Sequence, residues 1–109
     1  MQLTFLGKET QGGGSPTLFA TDRRTYVVQG WKVTGQANSV EVPVRLLAFL
    51  EPGTQLGTQP QDTGRGTVIV SGVPVTDMDA LSQMDIPGHE GCVEITRAEE
   101  SRAGGAAAE

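Results

Sequence analysis

Ten consecutive residues of this chain occur twice, 42 positions apart. Thr25-Tyr26-Val27-Val28-Gln29-Gly30-Trp31-Lys32-Val33-Thr34 aligns without a gap with Thr67-Val68-Ile69-Val70-Ser71-Gly72-Val73-Pro74-Val75-Thr76, and five of the ten positions are identical. Each copy follows an arginine-containing turn, Thr21-Asp22-Arg23-Arg24 or Thr63-Gly64-Arg65-Gly66. Each also precedes a Val-Glu-Val/Ile strand, at Val40-Glu41-Val42 and Val93-Glu94-Ile95. A recurring strand-glycine-strand unit points to a duplicated β scaffold, since each unit must bury its apolar face against the next. Short Val/Thr/Gly strands also converge by chance, but five gapless identities in ten favour duplication.

The 109 residues fit one domain with a tail. Fifteen glycines and few aromatic residues suit a small, turn-rich sheet whose core rests on Val, Leu and Ile. So thin a core gains from association, and a dimer is expected. The formal charge is −5, with no basic run; this argues against autonomous nucleic-acid binding, which draws its affinity from phosphate neutralisation. Cys92 is the single cysteine, so no intramolecular disulfide is expected and the chain reads as cytoplasmic. Met1 to Gly7 lacks the regions of a secretory leader, and no apolar run is long enough to span a membrane.

Read along the chain, Gln2–Leu6 is a strand and Lys8–Ser15 a loop. Gly12-Gly13-Gly14 lacks the Gly-Lys-Ser/Thr and helix of a phosphate loop. Thr17–Thr21 and Thr25–Val33 form a hairpin around Asp22-Arg23-Arg24, with Asp22 starting the turn. Gly30 and Gly72 mark bulges or close backbone approaches. Pro43 opens a helical segment carrying Leu46, Leu47 and Leu50, which Pro52-Gly53 stops. Gly57–Gly66 reads as a mobile link. Asp77–Met84 reads as a helix in which Thr76 and Asp79 imitate a capping box. The expected fold is mainly β: a small pseudo-duplicated β-barrel or sandwich with one or two short helices. One domain covers residues 1–96, with an internal repeat at about 17–43 and 59–96, and 97–109 form a flexible tail.

Little in the sequence carries chemistry. His89 and Cys92 are spaced as a ligand pair, but a zinc site needs three or four ligands, so no metal or other cofactor is expected. A nucleophilic Cys-His pair would need an orienting third group that nothing identifies, so no enzymatic activity is expected. The alternative places His89 at the surface and Cys92 as a small hydrophobe. Arg23, Arg24, Tyr26 and Lys32 make the most basic neighbourhood. Trp31, replaced by Val73 in the second copy, either closes the core or anchors an interface.

The segments Ser15–Arg23, Tyr26–Thr34 and Asp77–Glu90 with Val93-Glu94-Ile95 resemble short actinobacterial proteins of unknown function that accompany helix-turn-helix regulators. That resemblance implies a regulatory context. Val40-Glu41-Val42-Pro43, Leu46, Leu50, Pro52-Gly53-Thr54 and Leu56 also resemble the swapped-hairpin factors of the AbrB and MazE type, though two residues are missing before Pro52 and Thr54 stands where an acid is usual. The expected function is a non-enzymatic protein-interaction module accessory to a transcriptional regulator, binding through Arg23, Arg24, Tyr26, Trp31 and Lys32. Its partner would be the regulator or a neighbouring gene product, or a second copy in a homodimer, with no membrane involved. The alternative is a dimeric DNA-binding antitoxin or regulator of AbrB/MazE type, the only reading that requires nucleic acid.

Overall fold

The computed structural model describes residues 1–9 and 16–99. The glycine triplet and the residues after Glu99, expected as loop and tail, lie outside the described residues. The described chain is mainly β: β1 (Leu3–Lys8), β2 (Thr17–Thr21), β3 (Thr25–Val33), β4 (Gln36–Pro43), β5 (Thr54–Leu56), β6 (Gln61–Asp62), β7 (Thr67–Ser71), β8 (Val73–Pro74) and β9 (Glu90–Glu99). A 3-10 helix (Val44–Phe49) follows β4, and a single helical turn, α1 (Met78–Leu81), lies between β8 and β9. All the pairings are antiparallel. They run in a circuit: β3 pairs β4, β4 pairs β7, β7 continues into β8, β8 pairs β9, and β9 returns to β3. The sheet therefore closes into a small barrel, with β2 and β1 extending it from β3 and β6 from β7.

The registers of the two repeated segments match. On β9, β3 sets Tyr26 against Ile95, Val27 against Glu94 and Val28 against Val93. On β4, β7 sets Val68 against Val42, Ile69 against Glu41 and Val70 against Val40. Residues 42 apart on one strand thus face residues 53 apart on the other. Their flanking partners follow the same spacing: Phe19 pairs with Val27 as Gln61 pairs with Ile69, and Trp31 pairs with Glu41 as Val73 pairs with Glu94. Each repeated strand lies mainly against the Val-Glu strand of the other copy.

Gly30 and Gly72 sit where each strand changes partner. A Cβ at Gly30 would strike the Glu41 carbonyl oxygen and the Val42 side chain, and one at Gly72 the Glu94 carbonyl oxygen and Ile95. The β3–β9 ladder runs through Gly30 without a shift. Close backbone approach, not a bulge, is therefore the role of this glycine.

Alternation along the strands divides the apolar side chains. Leu18, Tyr26, Val28, Val40, Val42, Val68, Val70, Val93 and Ile95 fill the interior with Leu46 and Leu56. Leu3, Phe19, Val27 and Ala80 form a second cluster that holds α1 against the sheet. Burial of each such aliphatic side chain contributes about 1.5–3 kcal/mol. Both short helices anticipated from sequence are present, and both are reduced. The first is 3-10 in form, and the second is one turn capped by Asp77, whose carboxylate accepts from the Asp79 N–H (3.0 Å). Thr76 therefore does not cap it. Two boundaries move. Gln61–Asp62, placed in a mobile link, pair with β7. Arg97–Glu99, assigned to the tail, continue β9 because Thr54–Leu56 supply a ladder for them.

Candidate functional site

Just past the glycine crossings, β8 leaves β4 for β9 and the sheet parts. A cavity of about 650 Å³ opens there. Its walls come from both repeated segments: Lys32 and Val33 of β3, Pro74 and Val75, Ser39 and Val40 of β4, and Cys92 and Val93 of β9. These pairs follow the spacings of the ladder, 42 for the first set and 53 for the second. The cavity thus draws its lining from both of the segments of like sequence. Leu81 of α1 and Ile86 close it from the segment that only the second half carries, and Gln36 stands on the opposite arm.

The lining combines aliphatic side chains with Lys32, Gln36, Ser39 and Cys92. No acidic residue lines it, although the chain carries thirteen. Ser39 Oγ lies 2.6 Å from Ser71 Oγ, so its hydroxyl is already engaged. Cys92 is partly buried, and desolvation pushes its thiol above the ordinary value of 9.0. Lys32 is the one cation of the lining. Among the described residues its ammonium enters no ion pair, whereas Arg23, Arg45, Arg65 and Arg97 each meet a carboxylate.

The residues expected to form a binding surface are dispersed. Arg23 Nη2 donates to Glu94 Oε1 (2.6 Å), and the same carboxylate accepts from Thr25 Oγ1 (2.6 Å). Arg24 is exposed at the hairpin tip in the left-handed region (φ 61°). Tyr26 must be corrected: it is 0% exposed, and its hydroxyl lies 2.5 Å from Thr54 Oγ1 and accepts from the Glu51 N–H (3.0 Å). Its apolar ring faces the barrel interior by strand alternation, so it offers nothing to a partner. Trp31 is partly exposed where β3 passes between Glu41 and Glu90. Thr25, next to the arginines, and Lys32 are seven residues apart, on the order of 20 Å along an extended strand. Arg23 and Arg24 stay together at the exposed hairpin tip, whereas Trp31 and Lys32, consecutive on β3, project from opposite faces of the strand.

His89 is exposed, with Nε2 3.6 Å from Glu90 Oε2, while Cys92 lines the cavity. Among the described residues no three His, Cys, Asp or Glu side chains converge as a metal site would require. Glu90, near His89 and Cys92 in sequence, is buried, which the sequence did not reveal; its carboxylate accepts from Gln29 Nε2 (2.8 Å), and that amide also donates to the Asp85 carbonyl (2.7 Å). Sequence reasoning also missed the cavity. The signal was present in the repeat itself, in the matched Val33 with Val75 and Val40 with Val93, but only the fold shows that these pairs face one space.

No family model, curated protein or solved structure matches the chain.

Proposed function

We propose that the chain is a non-enzymatic protein-interaction module, accessory to a transcriptional regulator, built from two duplicated halves. Its working surface is the rim of the shared cavity, not the tip of the first hairpin. One observation carries this: the segment that walls the cavity also exposes large apolar side chains, Val73 at 68% and Met78 at 76%. Phe5, Val44 and Phe49 are also exposed, but Val73 and Met78 stand five residues apart on the segment whose Pro74 and Val75 line the cavity, so their apolar surface adjoins it. Lys32, which lines the cavity, supplies a charge for partner choice, and Trp31, its neighbour on β3 but on the other face of the strand, supplies an aromatic anchor beside it. Arg23 contributes less here, since Glu94 already neutralises it.

Cross-linked capture from native lysate tests the reading, with Val73→Asp and Met78→Asp set beside Arg23→Ala with Arg24→Ala. Loss of a regulator in the first pair and its retention in the second is the expected outcome. Capture that depends on the arginines, or no regulator retained by the native protein, overturns it. Concentration-dependent sedimentation reports whether a homodimer forms.

The AbrB/MazE-type reading has one observation in its favour. Strand, proline-started helical turn, Pro52-Gly53 turn (Gly53 φ 76°) and strand succeed one another as that resemblance requires. The ion pairing of four arginines weighs against it. Duplex binding that falls steeply with salt would support it, and no duplex binding at low salt would dispose of it.

A further inference from the structure

We propose that the cavity takes a small monocarboxylate with an apolar body, the carboxylate resting on Lys32. Four features of the site lead there. The volume, about 650 Å³, falls within the range of roughly 300–1,000 Å³ common for small-molecule sites. Its lining carries six branched aliphatic side chains, Val33, Val40, Val75, Val93, Leu81 and Ile86. A mobile apolar body gains from leaving water there, at about 25 cal/mol for each Å² covered. The lining holds no acid in a protein of net charge −5. An anion that the rest of the surface repels therefore meets no repulsion inside, and one unpaired ammonium stands to receive it. The Gln36 amide on the same arm can donate a further hydrogen bond to that head.

The edges of the cavity disfavour an added peptide strand as the occupant. Strand addition needs a run of open main-chain donors and acceptors. On one side Pro74 has no N–H to give. On the other, the β4–β7 ladder ends at Ser39, and the carbonyl of Asn38 already accepts from the Gly72 N–H (3.0 Å). Too little open backbone remains to hold a segment in register, so side-chain burial and a single charge must do the recognition. That is the mode of a small amphipathic acid. The inference shares the cavity and Lys32 with the protein-partner reading, but its readouts on the isolated chain, alkylation and methyl shifts, do not depend on partner capture.

Cys92 provides a native reporter, being the single cysteine and part of the lining. N-ethylmaleimide alkylation of the full chain is followed with decanoate below its micellar concentration, or with decan-1-ol at the same concentration. Methyl NMR shifts of Val75, Leu81 and Ile86 are read in parallel. Decanoate should slow alkylation at least fivefold at saturation and shift those methyl signals. Lys32→Ala should weaken its apparent affinity about tenfold, the loss of one charge-assisted contact, with decan-1-ol binding unchanged. Lys32→Glu should remove decanoate binding while leaving the amide spectrum of the fold intact. Equal binding of the acid and the alcohol, or decanoate affinity indifferent to Lys32, overturns the assignment of an anionic head. Absence of protection together with unmoved methyl signals overturns the cavity as a ligand site.

Discussion

Arg23, at the tip of the β2–β3 hairpin, donates to Glu94 of β9 at 2.6 Å, a bond that links residues 71 positions apart. The turn behind it is held by Thr21, whose Oγ1 accepts from the N–H groups of Arg23 (3.0 Å) and Thr25 (3.2 Å). Forty-two residues on, the same clasp recurs. Thr63 Oγ1 accepts from the Arg65 N–H (3.2 Å), Arg65 Nη2 donates to Glu41 Oε2 (3.2 Å), and Thr67 Oγ1 donates to that oxygen (2.5 Å). Glu94 and Glu41 thus each accept from an arginine and a threonine of one of the two like segments.

The two clasps should contribute equally. Glu94→Ala and Glu41→Ala each remove an acceptor from a threonine hydroxyl and an arginine. Each should lower stability by about 1–2 kcal/mol, with the arginine share small because both guanidinium groups are largely exposed. Urea denaturation of the two variants checks this, and a difference above about 1 kcal/mol would show that the clasps are not equivalent.

Gly30→Ala and Gly72→Ala should both be severe. In each the new methyl meets a neighbouring backbone carbonyl, which has less freedom to move than a side chain. A loss of about 2–4 kcal/mol is expected at either position. Gly88→Ala, where a Cβ meets nothing within 4 Å, should change the same midpoint by less than about 0.5 kcal/mol.

Tyr26→Phe should destabilise by about 1 kcal/mol, because the Glu51 N–H loses its acceptor, while the Thr54 hydroxyl keeps its bond to the Glu51 carbonyl (2.7 Å). Partner capture and decanoate protection should not change. A loss of either in a folded Tyr26→Phe protein would contradict the interior role of this ring.

Alkylation of Cys92 should rise with pH through a midpoint above 9.0, the ordinary value, since burial favours the neutral thiol. The linkage sign follows from the same shift. The raised folded value gives stability that is complete below the unfolded pKa and is lost as pH rises through the folded one. Cys92→Ala should therefore flatten the decline in stability above about pH 9. A reaction midpoint below 9.0 would show that the thiol is not desolvated.

Local pattern was enough to locate most strands, the three-residue first hairpin, the two helical segments and the unusual demands at Gly30 and Gly72. These follow from alternation, turn chemistry and the absence of a Cβ, all properties of neighbouring residues. The repeat also marked which segments would behave alike. Which strand each copy would pair with was not legible. Val27 and Ile69 would sit equally well against the glutamate of either Val-Glu strand, and long-range pairing leaves no trace in a single copy. The fates of Tyr26 and Lys32 were undecided for the same reason. Both occupy β3, but Tyr26 faces a closed interior, whereas Lys32 follows a crossing beyond which the sheet opens. The chain alone thus determined a mainly β scaffold containing two segments of like sequence. Only the tertiary pairing of β3, β4, β7, β8 and β9 created a cavity between them, because such a volume depends on which surfaces meet, not on any one of them.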